Sequence, residues 1–250
     1  MMPRLITLIQ NPAQLAMFEA HLKKLKDQLE KGHCTILAIQ GVLLDELSQA
    51  RSMQFMRYVI VWLLRLVSPG LNFPRQPLQL PLVEEQPEVF KCLPEYFLED
   101  IVDNFKFITR NIPQIITSTQ CDELMMICIT FLRSSEYIKN PYLKSGLVTI
   151  LFHGVWPIYG RAKGVLGDLL YASDFATKHL LHALMKFYIE CESTGTHTQF
   201  FDKFNIRYEI FQVIRCIWPN PIYRENLGTE ARRVYRNLLC LNTMTNGPQT

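Results

Sequence analysis

PEYFLEDIVDNFKFITRNIP, residues 94–113, lies between two prolines and contains no glycine. Its apolar side chains Phe97, Ile101, Phe105 and Ile108 recur at steps of four, four and three. That spacing follows the 3.6-residue period of an amphipathic helix, which gathers the four side chains on one face. Pro94 and Glu95 suit the positive end of a helix, where amide hydrogens lack partners. Pro113 stops the run, because it has no amide hydrogen and its ring clashes with the preceding turn.

The same pattern extends in both directions. Upstream, Asn11-Pro12 forms a cap and first-turn pair, after which Leu15, Phe18, Leu22, Leu25 and Leu29 share one helical face. Gly32 is expected to close this helix in the left-handed conformation, and Lys23, Lys24 and Lys26 lie mostly off the apolar face, on a solvated surface. A longer helix is predicted from about Val42 to Val67, ending at Ser68-Pro69-Gly70. Downstream, a helix spans Asp122 to Leu132, capped near Thr119, and Asn140-Pro141 opens PYLKSGLVTILFHGVW. Ser173 caps a further helix with Leu180, Leu181, Leu184, Phe187 and Tyr188 on a broad apolar face. FNIRYEIFQVIRCIW runs to Pro219, with Phe200, Phe201 and Phe204 expected to anchor it in the core, and a weaker helix covers Thr229 to Leu241. No turn dipeptide separates alternating runs, so hairpins are not predicted. The expected fold is all-α, a layered, solenoid-like helical stack. Asn-Pro at 11, 140 and 220 is a reused cap and sets no repeat length.

Residues 68–94 break the helical pattern with six of the fourteen prolines. The stretch still carries Leu71, Phe73, Leu78, Leu80, Leu82 and Phe90, too apolar for a free linker. An extended segment pinned in a groove of the helical body is predicted, and it makes a weak domain boundary.

Composition narrows the function classes. A chain of 250 residues with 48% hydrophobic and 20% charged content is ordinary for a globular protein. A net charge of +3 is too small to imply nucleic acid. The most apolar run, Phe55 to Val67, includes Arg57 and Arg65 and falls short of the roughly 20 residues that span a bilayer, so a buried helix is expected there. Neither nucleic acid nor membrane is therefore an expected partner. The seven cysteines are scattered without a Cys-x-x-Cys pair, which fits a reducing compartment, the cytosol or nucleus.

Patterns that could carry chemistry are incomplete. GRAKGVLG places Lys163 before Gly164, lacks the hydroxyl residue of a phosphate-cradling loop and follows no predicted strand. His179 and His182 are three apart on one helix, which supplies half a zinc site without a partner motif. Cys191, His197 and Asp202 can be arranged into a nucleophile, base and orienting acid, but nothing holds Cys191 in an activated turn. Cys121 and Cys128 read as core. The carboxylate pairs Asp45-Glu46, Glu84-Glu85, Glu99-Asp100 and Asp122-Glu123 read as solvated charge. No catalytic, cofactor-binding or metal-binding residue is assigned, and no cofactor is expected.

Three ordered blocks resemble a known family. YIECESTGTHTQFFDKFNIRYEIFQVI (188–214) is similar to a signature of the core region of ubiquitin conjugation factors of the E-four type, the U-box ubiquitin chain-elongation ligases. CLPEYFLEDIVDNFKFI (92–108) and FLRSSEYIKNPYLKSGLVTILF (131–152) resemble its proline-initiated and Asn-Pro helices. The resemblance covers about residues 42–227 and looks closest to the animal A-type factor. It implies an N-terminal helical segment at 1–41, a partial core at 42–227 and a divergent tail at 228–250, with no U-box after Asn226. It further implies an armadillo-like stack and a scaffold role in a ligase that extends ubiquitin chains for proteasomal degradation. The implied partners are a ubiquitin-conjugating enzyme, bound through the missing U-box, ubiquitylated substrates, and a valosin-type ATPase with the proteasome. The alternative is a helical interaction module without transfer activity. Ser145-Gly146 departs from the family pattern, so the Asn-Pro helix is expected to fray or bend there. ESTGTHTQFF reads as a polar joint in which Gly195 turns the chain and Asp202 can pair with Arg207 or a neighbouring helix, with a partner-binding surface as the alternative.

Overall fold

The computed structural model describes residues 12–117, 121–158, 160–193, 200–229 and 232. Nine helices are bounded by named residues: α1 (Pro12–Leu43), α2 (Glu46–Leu66), α3 (Glu88–Lys91), α4 (Tyr96–Asn111), α5 (Asp122–Arg133), α6 (Pro141–Val155), α7 (Gly167–Ala172), α8 (Asp174–Ser193) and α9 (Phe200–Ile217). Residues 221–229 form a further helix, and no strand occurs among the described residues. The fold class is all-α, as the periodicity predicts. The chain comprises two compact units, Met1–Gln49 and Ala50–Thr250.

In the first unit, Gly32 lies inside α1 and does not close it. A glycine ends a helix when it turns left-handed, and Gly32 is not among the glycines with positive φ. The break comes instead at Asp45, whose carboxylate accepts the amide hydrogen of Ser48 at 2.8 Å. That bond caps α2, so the predicted start at Val42 moves to Glu46. Leu15, Phe18, Leu22, Leu25 and Leu29 are all solvent-exposed.

In the second unit, α5 is the centre. Leu124, Met125, Ile127, Cys128, Ile129, Phe131 and Leu132 are all buried, so the helix is apolar around most of its circumference. Such a helix must be covered on several sides. α8 lies along it with buried Leu180, Leu181, Leu184 and Phe187, and α6 covers another side. α6 also packs against α4 and α9, while α8 meets α7 and α9. The result is a helical stack. Asn140 caps α6 by accepting the Tyr142 amide at 3.0 Å, and Ser173 accepts from Ala176 at 3.3 Å at the start of α8.

Three expectations need correction. Helix α6 is unbroken through Gly146, because that position is where α4 comes close: a Cβ there would stand 3.0 Å from a Val102 methyl. Phe204 is 59% exposed and anchors nothing in the core. The inward stripe of α9 is Ile210, Val213 and Ile217, which turns Phe204, Tyr208 and Phe211 outward. The Phe55–Val67 run is only half buried: Ile60, Leu63, Leu64 and Val67 face inward, while Phe55, Tyr58 and Trp62 are exposed. Thr119, Gly195 and the tail beyond 232 lie outside the described residues, as do the side chains of Phe200, Phe201 and Asp202.

The proline segment is pinned as expected. Phe73, Leu78, Leu82 and Phe90 are buried. Phe90 stacks on Phe131 with ring centroids 5.5 Å apart and meets Tyr137 at the same separation. The Arg65 guanidinium donates to the Phe73 carbonyl at 2.6 Å. The Leu82 amide donates to the Ser134 hydroxyl at 2.9 Å, and the Tyr137 hydroxyl donates to the Val83 carbonyl at 2.8 Å. Gln86 donates to the Glu136 carbonyl at 2.7 Å. Ser134 is fully buried, so Ser134→Ala strands the Leu82 amide. A cost of about 1–3 kcal/mol is expected, read as a lower urea midpoint at unchanged slope.

Candidate interaction surface

Four of the residues weighed for covalent or metal chemistry, Cys121, Cys128, His179 and Cys191, are buried. Cys191 is buried near the end of α8, and its suggested partners His197 and Asp202 lie outside the described side chains. Burial, with Asp122 beside it, pushes the Cys121 thiol up to about 12, and burial alone raises Cys128 well above the ordinary thiol range. A thiol held protonated is a poor nucleophile. His179 is buried in α8 with its ring edge-on to Phe175 at 5.2 Å. Burial, then the nearby cations Lys178 and Arg133, lowers its pKa to about 4. His182, three residues on, is only partly buried, and no group of three or more candidate metal ligands occurs among the described residues.

The glycine loop also turns inward. Gly154 lies within α6, while Gly160 and Gly164 take φ of 78° and 68°. The Leu166 amide donates back to the Gly154 carbonyl at 2.8 Å, and Arg161 donates to the Ile116 carbonyl at 3.1 Å. Amides that close the loop on itself do not cradle a phosphate. Of the acidic pairs, Glu123 accepts two hydrogen bonds from the Arg57 guanidinium, from Nη2 at 2.9 Å and Nε at 3.1 Å, which fastens α5 to α2. Asp122 is raised, mainly by burial and secondly by Glu123.

What the second unit presents is surface. A groove of about 570 Å³ runs between the 84–95 segment and the turn that precedes α6. Leu63, Phe90, Leu98, Tyr137 and Leu143 form its apolar floor. Glu84, Glu85 and Glu95 line it with Lys91 and Lys139, all of them exposed. Asn140 holds Glu95 at 2.7 Å, and Glu88 holds Lys91 at 2.6 Å. A second surface is aromatic. Phe152 meets Tyr208 at 5.9 Å and Trp156 at 5.2 Å, and Tyr188 meets Phe211 at 5.9 Å. The sequence pairs Glu84 with Glu85 but cannot show that they border a groove, since the opposite wall lies some fifty residues away in sequence.

The second unit is a helical stack whose accessible features are a groove and an aromatic face, the build of a helical scaffold. Its family is equally definite: the chain belongs to the ubiquitin elongating factor core family, which it matches over residues 2–239. That span takes in α1 and part of the 228–250 tail. It is 40% identical to ubiquitin conjugation factor E4 of Schizosaccharomyces pombe over 88% of this chain and 22% of that protein. The probable ubiquitin conjugation factor E4 of Arabidopsis thaliana is 30% identical over 92% of this chain and 22% of its own length. Ubiquitin conjugation factor E4 A of Bos taurus is 31% identical over 60% of this chain and 15% of its own. The chain thus spans less than a quarter of the length of these relatives.

Two outcomes follow from the burial of the titratable groups. Brief alkylation of the native chain near pH 8, read by peptide mapping, should label exposed Cys34 and Cys92 and leave Cys121, Cys128 and Cys191 unmodified until unfolding. For His179 the unfolded chain takes up its proton first, at its ordinary value of 6.5, while the folded value is about 4. Its contribution to stability is intact above 6.5 and is lost as pH falls from 6.5 toward about 4. His179→Leu should flatten that part of the pH–stability profile, measured as the difference between variant and parent in urea unfolding.

Proposed function

We propose that the chain is the scaffold portion of a ubiquitin chain-elongation factor, which extends ubiquitin chains on substrates bound for proteasomal degradation. The family match over residues 2–239 carries this reading. A relative from Saccharomyces cerevisiae is named E4 ubiquitin-protein ligase UFD2, and it is 28% identical over 83% of this chain. The stack supports a positional role: the thiols of Cys121 and Cys128 are buried and held protonated, and its acidic pairs are engaged or solvated.

In such a role the protein holds a ubiquitin-charged conjugating enzyme near an acceptor lysine and gains rate from proximity, without a covalent intermediate of its own. The partners of the reading are the conjugating enzyme, engaged by a U-box outside this stretch, the ubiquitylated substrate, and a valosin-type ATPase that passes it to the proteasome. In domain terms, residues 42–227 are the partial core, with 1–41 and 228–250 as flanking segments. The setting is a reducing compartment, cytosol or nucleus. No described helix is long and apolar enough to cross a membrane.

A chain-extension assay with activating enzyme, conjugating enzyme and a ubiquitylated substrate tests the allocation of labour. The 250-residue chain alone is expected to give no extension, and the same chain joined to the C-terminal U-box region of its relatives is expected to restore it. Extension by the chain alone would contradict the positional role. Failure of the joined protein, with substrate still bound, would instead favour an interaction module without transfer activity.

A further inference from the structure

We propose that the groove bounded by residues 84–95 and 137–143 is a docking site for a short peptide segment that presents apolar side chains flanked by lysine or arginine. The inference goes beyond the chain-elongation reading and does not depend on it.

The floor supplies the apolar half of the match. Phe90, Leu98 and Tyr137 are buried, yet together with Leu63 and Leu143 they line a groove of about 570 Å³. That space suits one or two aliphatic side chains and the backbone between them. The walls are set before any ligand arrives. One wall carries Pro87 and Pro94, and its segment is tied by the Leu82 amide to the Ser134 hydroxyl, by the Val83 carbonyl to the Tyr137 hydroxyl and by the Gln86 side-chain amide to the Glu136 carbonyl. A groove held by such bonds loses little freedom on binding, which favours affinity.

The charge supplies the other half. Three glutamates and two lysines line the groove. Glu88 takes up one of those ammonium groups, that of Lys91, at 2.6 Å. The Glu95 carboxylate is held in place by the Asn140 side-chain amide, which donates to it at 2.7 Å. Glu84 and Glu85, adjacent in sequence, also line the groove, and both are exposed. Carboxylates therefore exceed free ammonium groups around an apolar floor, and the complementary segment carries positive charge beside its apolar anchor. Such rim charges steer encounter and select partners.

Trp62 provides a local reporter, since its ring centroid lies 5.6 Å from that of Phe97, which lines the groove. The test uses the full chain with Trp156→Phe and Trp218→Phe, which leaves Trp62 as the remaining one of three tryptophans. Three hexapeptides are titrated at low salt: GKLLKG, GELLEG and GKSSKG. The lysine–leucine peptide should change Trp62 emission saturably, with a dissociation constant on the order of 100 µM. The acidic and the serine peptides should bind at least about tenfold more weakly, and added salt should weaken the first peptide. Glu84→Lys with Glu85→Lys should cost about tenfold or more in affinity at an unchanged melting midpoint. If charge reversal lowers the melting midpoint, Glu84→Gln with Glu85→Gln carries the same comparison. Equal binding of the acidic peptide, undiminished binding by the glutamate variants, or no saturable response up to about 1 mM overturns the proposal.

Discussion

Helix α5 has almost no polar side to offer water, and the second unit is arranged around that fact. From Leu124 to Leu132 its side chains are buried apart from Met126, which is only partly so. Exposing such a helix would put several large aliphatic groups in water at roughly 1.5–3 kcal/mol each. Covering it requires elements on every side. α8 and α6 supply two of them. The Arg57–Glu123 pair fastens α2 at the beginning of the helix, and Phe90 against Phe131 closes the end. The pair is partly buried, and its use is to fix where α2 lies.

The covering element at the end of α5 is an extended segment interrupted only by the single turn of α3, and this has a consequence. Prolines at 69, 74, 77, 81, 87 and 94 withhold amide hydrogens and forbid regular helix, so the segment must settle its remaining polar groups with neighbours. It does so through Ser134, Tyr137 and Glu136, all in the turn that follows α5. An extended strip tied to a turn cannot interdigitate as two helices do. The space left over is the groove. The same need for close approach appears at Gly164, where positive φ coincides with backbone carbonyls of Gly154 and Trp156 pressed against the position of a Cβ. Only glycine fits there without strain.

Helix identity was legible in the sequence wherever an apolar face had a clear period and a stop. PEYFLEDIVDNFKFITRNIP reads as α4 almost to its bounds, and Asn140 and Ser173 act as the caps their positions suggest. The misreadings share a cause: local pattern does not say which neighbour is present. Gly32 resembles a stop until the following residues keep the helix going, and the real break depends on the Asp45 carboxylate reaching Ser48. Gly146 looks like a weak point and is instead the place where α6 admits Val102. Phe204 belongs to a run rich in aromatics, but the inward stripe of α9 falls on Ile210, Val213 and Ile217. The groove was beyond reach for the same reason, since its walls join residues far apart in the chain.

A scaffold that acts by position depends on stiffness more than on any one side chain. Proximity lowers a barrier only if the reacting groups are held near their attack geometry, and misplacement by about 1 Å can cost on the order of a hundredfold in rate. The packing found here suits that demand. Interiors at near-crystalline density transmit a displacement and do not absorb it. The half-buried carboxylate of Glu209 on α9, its pKa raised mainly by burial, accepts the Thr149 hydroxyl of α6 at 2.8 Å. Lys186 of α8 reaches the Arg133 carbonyl at the end of α5 at 3.1 Å. These bonds tie neighbouring layers to one another at points where a sliding motion would begin. In the proposed role, the interior therefore sets distances, and recognition is left to the surfaces that the interior holds in place.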